Sequence, residues 1–279
     1  MSAPEPGAPP AVPNLPGRPA RARRAGPNPF ETGGEHYDAV RPSYPAAAVD
    51  RVLADAAEGA DVVELGAGTG LFTRLLAARP ADRVRTVTAL EPSASMRAVL
   101  EREVAAGTGG RVRAVPGTGE STGLPAASAD VVVAAQAWHW MDPAAASAEA
   151  ARVLRPGGRL AAVWNQLDTA VPWVHRLTRI MHAGDVLAED FEAPPVPGFR
   201  VVARSAHRWE DVRTTHELID LARTRSYVIT APPERRAKVL ANLDWYVHEH
   251  LAHAPGDHVG IPYRTDVIVL RHVEDAAAS

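Results

Sequence analysis

The segment Val62-Val63-Glu64-Leu65-Gly66-Ala67-Gly68-Thr69-Gly70 decides the fold of this chain. It begins with the apolar pattern of a short strand, and a helical pattern starts directly after the glycines. Glycines at such a strand-to-helix turn let the backbone bend sharply and let a ligand approach the helix N-terminus closely. The segment therefore predicts a nucleotide-type cofactor at the end of a parallel strand.

The residues around the turn discriminate between cofactor classes. An NAD-type loop needs a further glycine at position 71, where Leu71 stands, and the Gly-Lys-Ser/Thr of a P-loop does not follow. Glu64 places a carboxylate where a cofactor with an amino group fits and where pyrophosphate would be repelled. Glu91 ends the next predicted strand, where it can accept hydrogen bonds from both hydroxyls of a ribose. Together these features favour S-adenosylmethionine (SAM) over NAD.

Outward from this segment, short apolar strands alternate with helical patterns. We predict helices at 46–57, 69–78, 94–106 and 143–154, and strands at 61–65, 84–90, 112–115, 131–135 and 159–164. Alternation of this kind predicts an α/β, Rossmann-like, doubly wound and mostly parallel sheet. Beyond residue 165 we predict helices at 173–183, 214–225 and 232–251 and strands at 201–209 and 261–273. These would complete a seven-stranded sheet with an antiparallel C-terminal strand and a small helical insertion.

The composition suggests a tail followed by one domain. Residues 1–28 hold eight of the 25 prolines and no aromatic residue, which is typical of a disordered tail. We expect residues 29–275 to form a single domain. Within it, residues 45–165 would be the cofactor-binding core, and residues 166–275 would supply substrate-side helices and the last strands.

Several function classes are disfavoured by composition. The chain has no cysteine, which excludes disulfides and thiolate chemistry, and its formal net charge of −3 gives no general attraction to nucleic acid. No apolar run of 18 residues suggests a membrane span, so we expect a cytoplasmic protein, monomeric or homodimeric. His248-Glu249-His250 does not have the spacing of a zinc motif, because two residues apart on a helix diverge by roughly 200°. We expect no metal.

The same motifs carry a resemblance to a known family. Val62–Gly70 resembles motif I of class I SAM-dependent methyltransferases, and Leu90–Ser93 resembles the ribose-binding segment that follows it. Gly117–Glu120 is similar to the adenine-side loop, and Leu154–Leu160 is similar to the turn into the fifth strand. The resemblance spans about residues 30 to 272. Further landmarks resemble a subgroup of small-molecule enzymes that are like trans-aconitate methyltransferase: Phe30, Tyr37-Asp38, Arg41–Pro45, Gln136–Trp140, Ser226–Val228 and Pro262–Thr265.

The resemblance implies a set of cofactor-binding residues. They are Tyr37, Arg41, Glu64, Gly66, Ala67, Gly68, Glu91, Pro92, Met96, Thr118, Gly119, Glu120 and Gln136. Tyr37 and Arg41 would close over the methionine end, with Arg41 pairing with its carboxylate. Thr118 stands where the family usually has aspartate, so at this position backbone contacts from Gly119 and Glu120 would hold the adenine.

The methyl acceptor is expected to be a small molecule that accepts the methyl group on oxygen, as a carboxylate or a hydroxyl. His139 is the candidate general base, since its ordinary pKa of about 6.5 suits proton abstraction near neutrality. The alternative, that His139 only packs between its neighbours or hydrogen-bonds a loop, stays open. Substrate-pocket candidates are Trp138, Trp140, Tyr227 and Tyr263, and we expect one tryptophan to line the pocket and the other to pack in the core.

The same residues bear on competing functions. An amino-group nucleic-acid methyltransferase carries Asn/Asp-Pro-Pro-Tyr/Phe after the fourth strand, where this chain has Gln136-Ala137-Trp138-His139. An RNA or protein methyltransferase and a non-catalytic SAM-binding protein remain alternatives. The glycine turn thus predicts the cofactor and leaves the acceptor open.

Overall fold

The computed structural model describes residues 40–105, 108–181 and 196–273. The predicted tail at 1–28 and the predicted site residue Tyr37 lie outside the described residues. The described strands are β1 (Ala60–Leu65), β2 (Val84–Leu90), β3 (Val112–Val115), β4 (Ala129–Ala135), β5 (Leu154–Leu167), β6 (Phe199–Thr214) and β7 (His258–His272). The α-helices are α1 (Ala46–Leu53), α2 (Leu71–Ala77), α3 (Ala94–Ala105), α4 (Pro143–Val153), α5 (Pro172–Ile180), α6 (Thr215–Arg223), α7 (Ser226–Thr230) and α8 (Pro233–Trp245).

The strands form one seven-stranded sheet in the order β3-β2-β1-β4-β5-β7-β6. Strands β1 to β5 pair in parallel, whereas β7 runs antiparallel to both of its neighbours, β5 and β6. The predicted fold class is therefore confirmed. The strand order reverses between β1 and β4, and a ligand crevice forms outside the carboxyl ends of the strands at such a switch point.

The central strands are apolar on both faces because helices cover both. Val62 on β1 packs with the apolar stripes of α1 and α2, while the next residue, Val63, packs with α4 on the other face. Helix α4 begins as the sequence predicts, since the Asp142 side chain accepts a hydrogen bond from the Ala145 amide at 2.9 Å and Pro143 follows it. This two-sided burial fixes the sheet as a rigid platform for its carboxyl edge.

A helical layer covers the end of the sheet near β6 and β7. Helices α5 to α8 pack around one apolar cluster, in which Leu177, Leu221 and Leu243 are almost fully buried. Helix α7 was not predicted, because five residues are too few to show a helical period. The predicted helix at 232–251 is α8 followed by a π-helical turn, Tyr246–His250.

Strand β6 is longer than its predicted range of 201–209. Its charged ends carry no apolar alternation, yet β6 pairs with β7 from Phe199 to Thr214. Backbone pairing with a long partner, which a single-strand pattern does not reveal, extends the strand. Across the three described ranges, no helix has the length and apolar character needed to cross a membrane.

Candidate functional site

The glycine turn joins β1 to α2 in a conformation that L-residues rarely adopt. Gly66, Gly68 and Gly70 have φ angles of +67°, +59° and +89°. A Cβ on Gly66 would stand 2.7 Å from the Ala137 Cβ, and one on Gly70 would collide with the Leu100 side chain. A Cβ on Gly68 would meet no atom within 4 Å. Two glycines thus permit close packing of the fold, and the middle one borders open space at the crevice.

Glu91 follows β2 and holds the glycine turn from the side. One carboxylate oxygen accepts a hydrogen bond from the Gly68 amide at 2.8 Å, and the other accepts one from the Ser93 amide at 2.8 Å. Burial raises the pKa of this carboxyl, and the hydrogen bonds from the two backbone amides act against the rise. Each oxygen keeps a second lone pair, so the carboxylate can still accept from two hydroxyl groups.

Glu64 lies at the end of β1 directly under the turn and is 1% exposed. The Thr73 hydroxyl donates a hydrogen bond to it at 2.5 Å. The pKa of Glu64 is raised to about 8, chiefly because the side chain is buried; the hydrogen bond from Thr73 acts against the rise and the Glu91 carboxylate adds to it. An unpaired carboxyl held in this way gains most from a cationic partner such as an ammonium group.

Comparison with known proteins decides the family. Residues 63–162 match a family model described as a methyltransferase domain. A Mycobacterium tuberculosis protein named as an uncharacterized methyltransferase is 40% identical over 229 residues, which cover 82% of this chain and 89% of that one. The chain belongs to the class I SAM-dependent methyltransferases. An uncharacterized methyltransferase-like protein of Schizosaccharomyces pombe is 32% identical, covering 77% of this chain and 84% of that one. A solved structure from Anaeromyxobacter dehalogenans, described as a type II methyltransferase, shares the fold with a TM-score of 0.62, 24% identity and coverage of 82% and 96%.

The glycine turn of this methyltransferase fits the cofactor that the family uses. Open space at Gly68 allows a ligand to approach the backbone, Glu91 presents free lone pairs beside it, and Glu64 is a buried carboxyl without a cationic partner among the described residues. The Ala67 amide donates a hydrogen bond to the Leu90 carbonyl at 2.8 Å. Met96 is buried in the first turn of α3, while Pro92 is exposed.

The loop Gly117–Glu120, which we predict to bind the adenine, packs against the segment between β4 and α4. Thr118 is exposed and bridges to Ser121 through paired backbone bonds of 3.3 and 3.2 Å. Gly119 is buried against the Met141 thioether, whose sulfur would lie 2.4 Å from an added Cβ, so a side chain is not accommodated there. Glu120 accepts a hydrogen bond from the Asp142 amide at 2.9 Å. The loop is therefore tied to the start of α4.

Gln136 follows β4 with a φ of +54°, an uncommon conformation for a residue other than glycine. Its side-chain amide donates to the Asn165 carbonyl. The Asn165 side chain in turn donates to the Ser43 carbonyl at 2.8 Å and accepts from the Thr265 hydroxyl at 2.9 Å. The Trp209 indole completes the network by donating to Thr265 at 2.9 Å. Sequence reasoning missed Asn165 and Trp209, although the position of Asn165 after the predicted fifth strand pointed to this edge.

Arg41 fastens the segment before α1 to the helical layer. Its guanidinium donates to the Thr224 carbonyl at 2.8 Å, and its own carbonyl accepts from Arg213 at 3.2 Å. Arg213 also pairs with Asp211 at 2.9 Å. The predicted pairing of Arg41 with a cofactor carboxylate stays a prediction, and the structure adds this anchoring contact.

Tyr263 lies on β7 at the carboxyl edge of the sheet, opposite Leu167 and Trp209. It is 1% exposed and stacks on the Trp209 ring with centroids 5.3 Å apart. Its hydroxyl has no hydrogen-bond partner among the described residues. Burial raises its pKa to about 12, Asp211 also raises it, and the guanidinium groups of three arginines lower it: Arg225, Arg41 and Arg213. An orphaned hydroxyl thus lies within the field of three cations.

The remaining predicted residues are not gathered into one pocket. Trp138 and Trp140 lie on a short 3₁₀ helix, where Trp138 is buried in the core and Trp140 is 56% exposed. His139 is exposed, with its ring centroid 5.2 Å from that of Trp140. Tyr227 is half-buried on α7 and packs against the apolar cluster of the helical layer, of which Tyr263 is also a member. Among the described residues no group of three histidine or acidic side chains is arranged to hold a metal.

Proposed function

We propose that this methyltransferase transfers a methyl group to an oxygen of a small organic acid. The observation that carries the proposal is the orphaned Tyr263 hydroxyl within the field of Arg41, Arg213 and Arg225. Guanidinium groups bind carboxylates through charge-assisted hydrogen bonds, and a tyrosine hydroxyl can donate another. Within the described chain Asp211 and Glu217 pair with Arg213, at 2.9 and 4.0 Å, while the Tyr263 hydroxyl keeps a proton that it can donate to an anion.

The proposed cofactor contacts follow the geometry of the turn. SAM supplies a methyl group on a sulfonium, which needs no further activation. Glu64 would bind its ammonium group, Glu91 its ribose, and Gly68 would let the ligand lie against the backbone. The other proposed contacts are Arg41, Gly66, Ala67, Pro92, Met96, Thr118, Gly119, Glu120 and Gln136, and, outside the described residues, Tyr37.

A carboxylate acceptor needs no general base, because it is ionised at neutral pH. The protein then has to align the acceptor oxygen and exclude water, and alignment alone contributes roughly 7–11 kcal/mol to such reactions. The arginine cluster supplies alignment. Trans-aconitate-type acids, which the sequence resemblance suggested, belong to this acceptor class.

Replacing Tyr263 with phenylalanine tests the acceptor site. We expect the KM for a carboxylic acid acceptor to rise at least tenfold, because one hydrogen bond to a charged group contributes about 1.5–3 kcal/mol. The melting temperature should stay the same or rise, because the removed hydroxyl has no partner among the described residues. The measurement is transfer of labelled methyl from SAM to a panel of carboxylic acids, phenols and amines. Turnover confined to phenols, amines or RNA, or an unchanged KM in the variant, would contradict the proposal.

Replacing His139 with alanine separates carboxylate from hydroxyl acceptors. With a carboxylate acceptor we expect kcat to fall less than tenfold, since no proton has to be removed. A general base would instead contribute about 10²–10⁴-fold to kcat. The pH profile of kcat gives a second measurement, because loss of a base removes its ionisation from the profile. A loss of 100-fold together with a changed profile would assign His139 as the base and would refute the carboxylate acceptor.

A further inference from the structure

Two helices of the helical layer enclose a surface groove of about 750 Å³, hereafter the basic groove. Each helix presents one stripe of residues at i, i+3, i+4 and i+7 spacing, so that the two stripes face each other. Helix α5 contributes Pro172, His175, Arg176, Arg179 and Ile180, helix α8 contributes Arg235, Lys238, Val239 and Asn242, and Tyr227 of α7 completes the lining.

The charges that the described residues bring to this groove are all of one sign. Four permanent cations line it, and no aspartate or glutamate is among its described lining residues. None of the four cations forms an ion pair or hydrogen bond with another described residue, although Arg176 lies over the Tyr246 ring at 5.4 Å. The whole chain nevertheless carries a formal net charge of −3. A concentration of unpaired like charges is unfavourable unless an anion joins it.

The groove also offers apolar and aromatic surface. The Tyr227 ring, Ile180 and Val239 lie among the cations. The helices that carry them are anchored, because the buried Tyr246 hydroxyl donates to the Trp173 carbonyl of α5 at 3.0 Å. A volume of about 750 Å³ falls in the range of small-ligand sites.

We propose that the basic groove binds an organic phosphate, that is, a dianionic phosphate on an apolar or aromatic body. The three guanidinium groups of the groove match the geometry of phosphate oxygens. The four cations together carry more positive charge than a single carboxylate neutralises. Tyr227, Ile180 and Val239 accommodate the organic body. This site is distinct from the glycine turn and does not depend on the nature of the methyl acceptor.

A compact anion fits better than a nucleic acid. Binding to a nucleic acid backbone usually draws on basic residues spread along an extended surface. Here the lining cations are confined to two short helices, α5 and α8, of nine and 13 residues. The groove therefore fits a single compact anionic ligand better than an extended strand.

The test is calorimetric titration of the full chain with phenyl phosphate, inorganic phosphate, benzoate and a single-stranded RNA oligonucleotide. We expect phenyl phosphate to bind most tightly, and its affinity to fall as salt is added. The double variant Arg179→Gln, Lys238→Gln should raise its Kd at least tenfold. The matched control Arg113→Gln, Arg200→Gln removes the same charge at exposed positions of β3 and β6 and should change Kd less than twofold.

Three outcomes overturn the proposal. One is equal affinity of the groove variant and the wild-type protein for phenyl phosphate. Another is inorganic phosphate or benzoate binding as tightly as phenyl phosphate. The third is oligonucleotide binding that is tighter than phenyl phosphate binding and is lost in the groove variant, which would assign the groove to nucleic acid. SAM affinity, which both double variants should retain, verifies that they are folded.

Discussion

Replacing Glu64 with glutamine is expected to abolish most of the decline in stability that the cofactor-free wild-type protein shows as pH rises from 5 to 8. In the folded chain burial raises the pKa of Glu64 to about 8, whereas the ordinary value is 4.5. Over this range the folded protein therefore keeps a proton that the unfolded chain has released. Stability falls as pH rises wherever the folded state binds more protons, by at most 1.36 kcal/mol per pH unit.

The size of this effect is large for one side chain. The contribution is fully present below about pH 4.5 and is lost as pH rises towards 8, which amounts to roughly 3 kcal/mol between pH 5 and pH 8. At about 2–4 °C per kcal/mol, the melting temperature of the wild-type protein should fall by roughly 6–12 °C more than that of the variant. Glu91, whose pKa is also raised, remains in both proteins and gives both a smaller decline of the same sign.

Thermal unfolding of both proteins at closely spaced pH values measures the effect. A useful control is Glu149→Gln, because hydrogen bonds from Arg152 and Thr122 lower the pKa of Glu149 to about 2. The stability that these hydrogen bonds contribute is present above the unfolded pKa of about 4.5 and is lost only as pH falls towards the folded pKa of about 2. The control should therefore be less stable than wild type by a constant amount from pH 5 to pH 8. Parallel curves for wild type and Glu64→Gln would show that Glu64 is not held protonated.

The sequence predicts the parallel strands and the glycine turn better than the contacts made by the later strands and helices. Strands β1 to β4 and the turn at Gly66 are short, local patterns, and each is set by residues adjacent in the chain. Strand β5, predicted at 159–164, extends over Leu154–Leu167. The helix-capping role of Asp142 is local as well. These features could be predicted because the physics that determines them acts within a few residues.

The proposed acceptor site depends on residues far apart in the chain. Arg225 and Arg41 act electrostatically on Tyr263. Asn165 joins Ser43, 122 residues before it, to Thr265, 100 residues after it. No periodicity reports such contacts. The basic groove was missed for the same reason, since its two stripes become a groove only when α5 and α8 pack together.

Replacing Gly68 with alanine is expected to weaken SAM binding at least 100-fold while leaving the fold intact. The φ of +59° at this position costs an alanine about 1–2 kcal/mol, but its Cβ would enter open space. We propose that SAM occupies this space, so the added methyl group would prevent the ligand from lying against the backbone. A loss of 100-fold corresponds to about 2.8 kcal/mol of binding free energy.

The chain supplies a closely matched control in Gly109. It has the same φ of +59°, and an added Cβ there would also meet nothing within 4 Å. Gly109 precedes β3 and thus lies towards the opposite, amino edge of the sheet. Alanine at Gly68 and alanine at Gly109 should therefore lower stability equally, by about 1–2 kcal/mol, and calorimetry with SAM should distinguish them.

Alanine at Gly70 provides the converse case, because its Cβ would collide with the buried Leu100 side chain. Overpacking adds about 1–3 kcal/mol to the cost of the left-handed conformation, so this variant should lose more stability than either of the others. If the loss of SAM affinity followed the loss of stability in Gly68→Ala, Gly109→Ala and Gly70→Ala alike, the glycine turn would only support the fold. Loss confined to Gly68→Ala, with Gly109→Ala unchanged, would require a ligand in the space beside the middle glycine.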